Sequence, residues 1–474
     1  MKNFLVGHLF RLLTIVAIAS FMVISCSKDS LIEPPSKSDL NELISFNFLK
    51  TDNPSLTQDC YPFRSGTIVY ISVSQGANLT ALKAQFSASP KATVKIGGTQ
   101  QQSGVSLIDY TNTMDVVVMS ESGKEKTYKL LVQEGRSSID NLVYAFMNKY
   151  SIPGISYAIS KDEQVVYKSG LGYAIQETAV RTKPNHLFRL ASISKQFTTL
   201  CIMKLVEEGK LSLNRTVFGT GGILENEFSN ITPMAATVTI RHLLTHSSGW
   251  PKSPDLMFDS PYYGKTLDQR IVLMLGSTQT TPGVTYAYYN MGFGVLGKVI
   301  EKITGKNYEV YLKEILATAG VTDVYVGGDK SQRRANEVVY YSQDGTNGYG
   351  NEMQVIAAAG GIIASTEEMM KLLFHIDGFT KVPDIISPQT RSIMLTPSAA
   401  NSHYALGWMC NHTYFPGSYY HTGNLAGTAT MWVMGSNGIN CIVLCNSRSY
   451  ITTFDDELYG LVRDILNLSA TISW

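Results

Sequence analysis

Apolar and polar positions alternate with period two from Ile44 to Gln133, in short runs. Ile68-Val69-Tyr70-Ile71-Ser72-Val73, Ala92-Thr93-Val94-Lys95-Ile96 and Thr127-Tyr128-Lys129-Leu130-Leu131-Val132 are strand-like, because successive side chains of an extended chain point to opposite faces of a sheet. Ser65-Gly66, Gly97-Gly98 and Ser122-Gly123-Lys124 punctuate them as turns. Short strands at this spacing predict a small β-sandwich over residues 41–134. After Gly135-Arg136-Ser137-Ser138 the period changes. Ile139, Leu142, Phe146 and Met147 recur at helical spacing, and strands are then predicted over 154–160 and 164–170 around Lys161-Asp162-Glu163. The far end mirrors this, with strands at 428–434 and 439–445 around Gly435-Ser436-Asn437-Gly438, whose Asn-Gly step signals a hairpin. A last helix begins near Thr453. Asp455, Asp456 and Glu457 lie in its first turn, where the helix dipole favours negative charge. Leu458, Leu461, Val462 and Ile465 give it one apolar face. Mostly helical sequence lies between. The pattern predicts an α+β domain over 138–474: one antiparallel sheet drawn from both ends, terminal helices over it, and a helical subdomain inserted.

The start of the chain has a different character. Lys2 and Arg11 precede an apolar stretch from Leu12 to Ile24 that is short for a spanning helix. It ends Val23-Ile24-Ser25-Cys26, which resembles a bacterial lipobox. On that resemblance residues 1–26 are a lipoprotein signal peptide and Cys26 carries a lipid anchor; an uncleaved signal anchor is the alternative. Residues 27–40 read as a flexible linker. The chain has 474 residues, 44% hydrophobic and 16% charged, with a net charge of +1, a balance that argues against a nucleic-acid partner. Five cysteines follow Cys26, and an odd number suggests no disulfide framework. Cys201, Cys441 and Cys445 read as small buried hydrophobes. A Cys410–Cys441 bridge is left open, and Cys60 has no assigned role.

Candidate chemistry starts at Phe188-Arg189-Leu190-Ala191-Ser192-Ile193-Ser194-Lys195. Ser192 is placed as the N-cap of a helix running to about Glu208, and Lys195 stacks one turn above it. A serine hydroxyl is a poor nucleophile until a base takes its proton. An amine can do so once burial and neighbouring cations lower its pKa. The pair alone is weak: Ser25 to Lys28 also matches. A second element, Tyr288-Tyr289-Asn290, precedes a helix holding Val295, Leu296, Val299, Ile300 and Ile303. Tyr349-Gly350-Asn351 matches the same pattern but reads as a loop aromatic. A third, His421-Thr422-Gly423, opens onto the strand at 428. There the backbone N–H of Asn424 is placed opposite that of Ser192 as an oxyanion hole.

The three elements in this order resemble the serine β-lactamase and penicillin-binding-protein superfamily, whose signatures include Ser-x-x-Lys and Lys-Thr-Gly. The class C β-lactamase-like branch is the nearer match. Ile152-Pro153-Gly154-Ile155, Leu243-Leu244-Thr245-His246-Ser247-Ser248-Gly249, Ala359-Gly360-Gly361-Ile362 and Leu406-Gly407-Trp408 also fit that branch. The resemblance implies a β-lactamase/transpeptidase-like fold without cofactor or metal. It implies Ser192 as acylated nucleophile, Lys195 and Tyr288 as the activating pair, and Asn290 as the group orienting Lys195 and the acyl amide. His421, Thr422, Gly423 and Asn424 would border the substrate, a small ester, amide or peptide. Residues 41–134 loosely resemble immunoglobulin-like modules of Bacteroidetes lipoproteins, a spacer first and a glycan contact second.

Two departures shift the expected substrate. His421 stands where Lys is frequent, removing a permanent cation near Tyr288. A charge about 6 Å away at an effective dielectric of ~20 is worth roughly 2–3 kcal/mol, about two pKa units. Activity is therefore expected to fall away from alkaline pH or to follow His421 protonation near pH 6–7. Asn424 and Leu425 are expected to narrow the mouth of the site. An esterase or peptidase, including a D-alanyl-D-alanine carboxypeptidase, ranks above a true β-lactamase, and a catalytically silent surface lipoprotein is the alternative from another class. His242 and His246, four apart, read as structural rather than zinc ligands, since a metalloprotease would want Glu where Leu243 stands. By analogy with Gram-negative lipoproteins, Ser27 after Cys26, in place of an Asp that would retain the protein at the inner membrane, implies the outer membrane, on its periplasmic face or at the cell surface.

Overall fold

The alternating N-terminal segment forms strands where β-branched and aromatic residues alternate with polar ones. In the computed structural model, which describes residues 36–472 and Trp474, a six-stranded sheet runs Phe63–Ser65, Ile68–Val73, Glu125–Glu134, Met114–Met119, Thr93–Ile96, Thr99–Gln100. Glu125–Glu134 pairs with Ile68–Val73 in parallel and with Met114–Met119 antiparallel. Leu43–Asn47 pairs separately with Gln85–Ala88. Phe46, Phe48, Val69, Ile71, Val116, Val118 and Leu130 bury the core between them. The unit is all-β, as its period-two pattern predicts. The predicted signal peptide, Cys26 and most of the linker lie outside the described residues. The described end of that linker is docked rather than free: Asp39 pairs with Lys124 at 2.6 Å, and the Ser38 N–H donates to Glu121.

The second unit is built around a seven-stranded antiparallel sheet drawn from both ends of its sequence. Helix α1 (Ser137–Lys149) leads into β1 (Gly154–Lys161) and β2 (Gln164–Ile175); α2 (Ser194–Glu207) and α3 (Asn290–Thr304) belong to the intervening helical part; β3 (Tyr419–Leu425), β4 (Thr428–Met434), β5 (Ile439–Cys445) and α4 (Phe454–Thr471) complete it. The strand order is Val180–Arg181, β2, β1, β5, β4, β3, Met409–Cys410. The central strands are buried on both faces, so they read as continuous apolar runs. One face meets α1 and α4 through Ile139, Val143, Met431, Val443, Leu458 and Val462. The other meets α2, where Phe197 packs on Trp432 at 6.0 Å. Tyr144 of α1 stacks on Phe63 and Tyr70, tying the β unit to the sheet domain.

The cysteines Cys60, Cys201, Cys410, Cys441 and Cys445 are free and buried. The Cys410–Cys441 bridge left open by the sequence does not form. Cys441 faces its neighbours in the register Ile159↔Cys441 and Val433↔Cys441, inside the sheet.

Candidate active site

Chain geometry around Ser192 differs from the N-cap expectation. Ala191 has φ 51, in the left-handed region, a conformation that costs an L-residue about 1–3 kcal/mol. The chain then makes one 3-10 turn, Ala191–Ile193, before α2 starts at Ser194 with Ile193 at the cap position and no side-chain cap. The turn frees the Ser192 hydroxyl from the helix N–H groups and leaves it to Lys195 and Tyr288. Ser194, the next serine, spends its own hydroxyl accepting from the Ile362 N–H at 3.0 Å.

Helix α2 is buried nearly all round from Ser194 to Met203, the pattern of a helix at the centre of a domain. Lys195 is therefore 0% exposed. Its Nζ lies 3.1 Å from Ser192 Oγ, 2.9 Å from Asn290 Oδ1 and 2.7 Å from the Ala359 carbonyl. A neutral amine has two N–H donors and one lone pair, which matches Asn290 and Ala359 as acceptors and the Ser192 O–H as donor. Burial pushes the Lys195 pKa down to about 7, against the opposing pull of Asp255. Rings face the amine as well: Tyr288 at 4.9 Å and Phe293 at 5.5 Å to their centroids. The Tyr288 hydroxyl is hydrogen-bonded with Ser192, and burial holds its pKa well above the usual phenol value.

Tyr288 sits on a loop fastened from behind by Thr245–Gly249. The Gly283 N–H donates to the Ser247 carbonyl, the Ala287 N–H to the His246 carbonyl, and the Tyr289 N–H to His246 Nδ1. His246 also lies against the Tyr288 ring, 4.2 Å between centroids. His246 Nε2 faces the Tyr404 hydroxyl at 3.1 Å, that hydroxyl faces His421 Nε2 at 3.2 Å, and His421 Nδ1 meets the Thr422 carbonyl at 2.6 Å. The chain of contacts has one consistent direction. His246 Nδ1 accepts, so its Nε2 carries the proton and donates to Tyr404. Tyr404 then donates to His421 Nε2, and the His421 Nδ1–H donates to Thr422. Both rings are neutral. Burial holds the His246 pKa well below its ordinary value and pushes that of His421 down to about 3, with the Lys195 charge acting the same way.

This corrects the expectation for His421. It is 1% exposed, shielded by Tyr404, and does not change charge near pH 6–7. It offers a substrate neither a cation nor a free N–H. His242 is likewise occupied locally, its Nδ1 accepting from the Thr239 N–H at 3.2 Å.

The third element lies along β3. Its outer neighbour Met409–Cys410 pairs only with Tyr419 and Tyr420, so His421 to Leu425 form an open edge among the described residues, where an extended ligand can add as a strand. Gly423 is required by close approach. A Cβ there would fall 2.2 Å from the Leu190 carbonyl, 2.3 Å from Thr430 Oγ1 and 2.9 Å from the Ala191 Cβ. The missing side chain lets β3 lie against the Ser192 turn. Thr422 is partly exposed and Asn424 exposed. Leu425 is 7% exposed and packs inward, so it does not narrow the mouth as expected. Beside the site a cleft of 820 Å³ is lined by Pro254, Phe258, Tyr262, Tyr263, Asn351 and Tyr450.

Four contributions escaped the sequence. The Ala359 carbonyl is a backbone group that no motif letter encodes. Tyr404 is one of 26 tyrosines, and His246, though within a segment that fits the branch, had no contact with Tyr288 assigned to it. Asp255, in the loop Pro251-Lys252-Ser253-Pro254-Asp255, accepts from Asn290 Nδ2 at 2.7 Å. No periodicity or spacing marks it. Tyr349, the second Tyr-x-Asn match, lies apart from Lys195, stacked under the Arg189 guanidinium.

The chain is similar to known proteins over about 70% of its length. Protein flp of Staphylococcus aureus (strain N315) is 24% identical over 356 residues, covering 71% of this chain and 70% of that protein. Penicillin-binding protein 4* of Bacillus subtilis is 25% identical over 355 residues, covering 70% and 76%. Among solved structures, the octameric penicillin-binding protein homologue from Pyrococcus abyssi superposes with a TM-score of 0.58 at 27% identity, over 70% of this chain and 77% of that one. A class C β-lactamase gives 0.58 at 19% identity, over 71% and 96%, a likeness of fold. The family profile described as Beta-lactamase matches residues 139–462, a span holding Ser192, Lys195, Tyr288, Asn290 and His421 in order. By that match, and by a sheet and helical subdomain of the same fold, the chain belongs to the Beta-lactamase family.

Proposed function

We propose that the protein is a serine hydrolase that works through an acyl-enzyme on Ser192, acting on esters or peptide amides. The observation that carries this reading is the fully buried Lys195 with its Nζ 3.1 Å from Ser192 Oγ. With a pKa near 7, that amine is partly neutral at physiological pH and is the better base of the pair. Tyr288, its pKa held high, keeps its proton. In acylation the Ser192 proton passes to Lys195 Nζ, and the freed Oγ pair forms the bond to the substrate carbonyl carbon. The carbonyl electrons move to oxygen, where the backbone N–H groups of Ser192 and Asn424 are the proposed donors. On collapse the bond to the leaving group breaks; the Tyr288 hydroxyl passes its proton to the leaving group while taking up the one held by Lys195 Nζ, so the phenol stays protonated and the amine is again neutral. Water repeats the sequence in reverse roles to release the acid. Asn290 orients Lys195 and the acyl amide, with Thr422 and Gly423 alongside the substrate.

Among superfamily members, the relatives' names include a D-alanine carboxypeptidase and a D-amino acid amidase. The neutral, walled-off His421 favours ester or amide substrates without a free carboxylate, because it offers no cation at that strand to hold one; penicillin and a peptide ending in D-alanine both carry that carboxylate, so a neutral ester ranks above either. The same reasoning keeps a true β-lactamase as the second reading. Turnover of p-nitrophenyl butyrate, an N-acyl-D-alanyl-D-alanine peptide and penicillin G separates them. Ester kcat/KM above that for the peptide or penicillin is expected; penicillin as the best substrate would contradict the assignment. We also propose that Cys26 lipidation anchors the protein at the outer membrane, with the β unit as an immunoglobulin-like spacer.

A further inference from the structure

Asn290 has two ends of nearly equal shape, an oxygen and an NH2, and only one orientation serves Lys195. With Oδ1 toward the amine it accepts at 2.9 Å; reversed, it would set a donor against a donor. What decides the orientation is at the other end. Asp255 Oδ2 lies 2.7 Å from Asn290 Nδ2, and an ionised carboxylate accepts only. The carboxylate is itself fixed: Oδ1 accepts from the Met257 N–H at 3.0 Å, and the Asp255 N–H donates to Asp259 Oδ2 at 2.8 Å. Asn290 is the first residue of α3, so its Cα is anchored by a helix buried along most of its length.

We propose that Asp255 is a positioning residue for acyl transfer, locking the Asn290 amide so that its Oδ1 holds Lys195 against Ser192. The proposal rests on the acyl-enzyme reading above. Asp255 reaches no reacting atom; it acts through Asn290. Its charge has a second consequence. The groups facing Lys195 are Asp255 from the loop that begins at Pro251, His246 from the Thr245–Gly249 turn, Tyr288 from the loop before α3, His421 from β3 and Ser192 itself. Asp259, Tyr288 and Tyr289 face Asp255 in turn. The histidines and tyrosines are uncharged at neutral pH, which leaves Asp255 as the negative charge opposing the desolvation of Lys195. Removing it lowers the pH at which the amine becomes a base.

The test is the second-order rate of Ser192 labelling by a fluorophosphonate between pH 5 and 10, read by intact mass, for wild type, Asp255→Ala and Asp255→Asn, with melting temperature recorded for each. Asp255→Ala is expected to label more than tenfold more slowly. Asp255→Asn, which keeps an acceptor, is expected to recover part of that rate with its acid limb moved to lower pH. Folded variants that label at the wild-type rate, or fall together with an unmoved limb, overturn the proposal. If Asp255→Ala does not fold, the limb of Asp255→Asn decides alone. Absence of any Ser192 adduct on wild type would instead overturn the acyl-enzyme reading, and this proposal with it.

Discussion

In the proposed mechanism the chemistry turns on Lys195, because a buried ammonium is costly and a buried amine is not. A group held near pH 7 is half-deprotonated where it must act, the condition that favours general-base catalysis. The acylation rate is therefore expected to rise with pH through about 7 and to level above it. No second inflection is expected from His421, whose proton is lost far below, near 3. A stopped-flow pH profile checks both; an inflection near 6.5 that disappears in His421→Gln would contradict the neutral assignment. The residue scale was only partly legible in the sequence. Ser192, Lys195, Tyr288, Asn290 and His421 are side chains at fixed spacings, and the structure brings all five together. The charge state of His421 depends on burial and on Tyr404, which arrives from a distant segment.

Among the elements, β3 and the Ser192 turn depend on each other. β3 approaches the turn because Gly423 has no side chain, and Thr430 Oγ1 donates to the Leu190 carbonyl at 2.9 Å across the same contact. Gly423→Ala must displace backbone rather than a flexible side-chain end. It is expected to cost about 1–3 kcal/mol by overpacking and to slow acylation more than that loss implies, since the turn carrying Ser192 moves. Thermal melting with labelling kinetics measures both; a variant with wild-type values for each would contradict the packing argument. The strands and terminal helices were legible because their apolar periods are strong. The 154 strand and the 439 strand pair from Ile155↔Cys445 to Lys161↔Ile439, bringing together the two ends of the 138–474 region as the mirrored patterns predict. The start of α2 was misread because Ser at a helix start ordinarily caps it, and the positive φ of Ala191 leaves no mark in the sequence.

For the whole molecule, burying neutral histidines makes stability depend on pH in the acid range. His421 has an ordinary pKa near 6.5 in the unfolded chain and about 3 in the fold; His246 is lowered in the same direction. As pH falls through 6.5 the unfolded chain takes up these protons first. Stability present above 6.5 is therefore lost progressively toward pH 3. Melting temperature is expected to fall across that window, less steeply in His421→Gln. An unchanged slope in that variant would place the acid sensitivity elsewhere. The change of period at Gly135 marks where the strand Glu125–Glu134 gives way to α1. The packing across that point was not legible, since Tyr144 stacking on Phe63 and Tyr70 joins elements with unrelated patterns.

The central claim is that Ser192 is acylated with help from Lys195. Intact-mass measurement of the full chain after exposure to a fluorophosphonate addresses it directly. One adduct per chain on wild type, mapped to the peptide carrying Ser192, and none on Ser192→Ala, is the predicted result. No adduct on the wild type, or the same adduct on Ser192→Ala, would contradict the account.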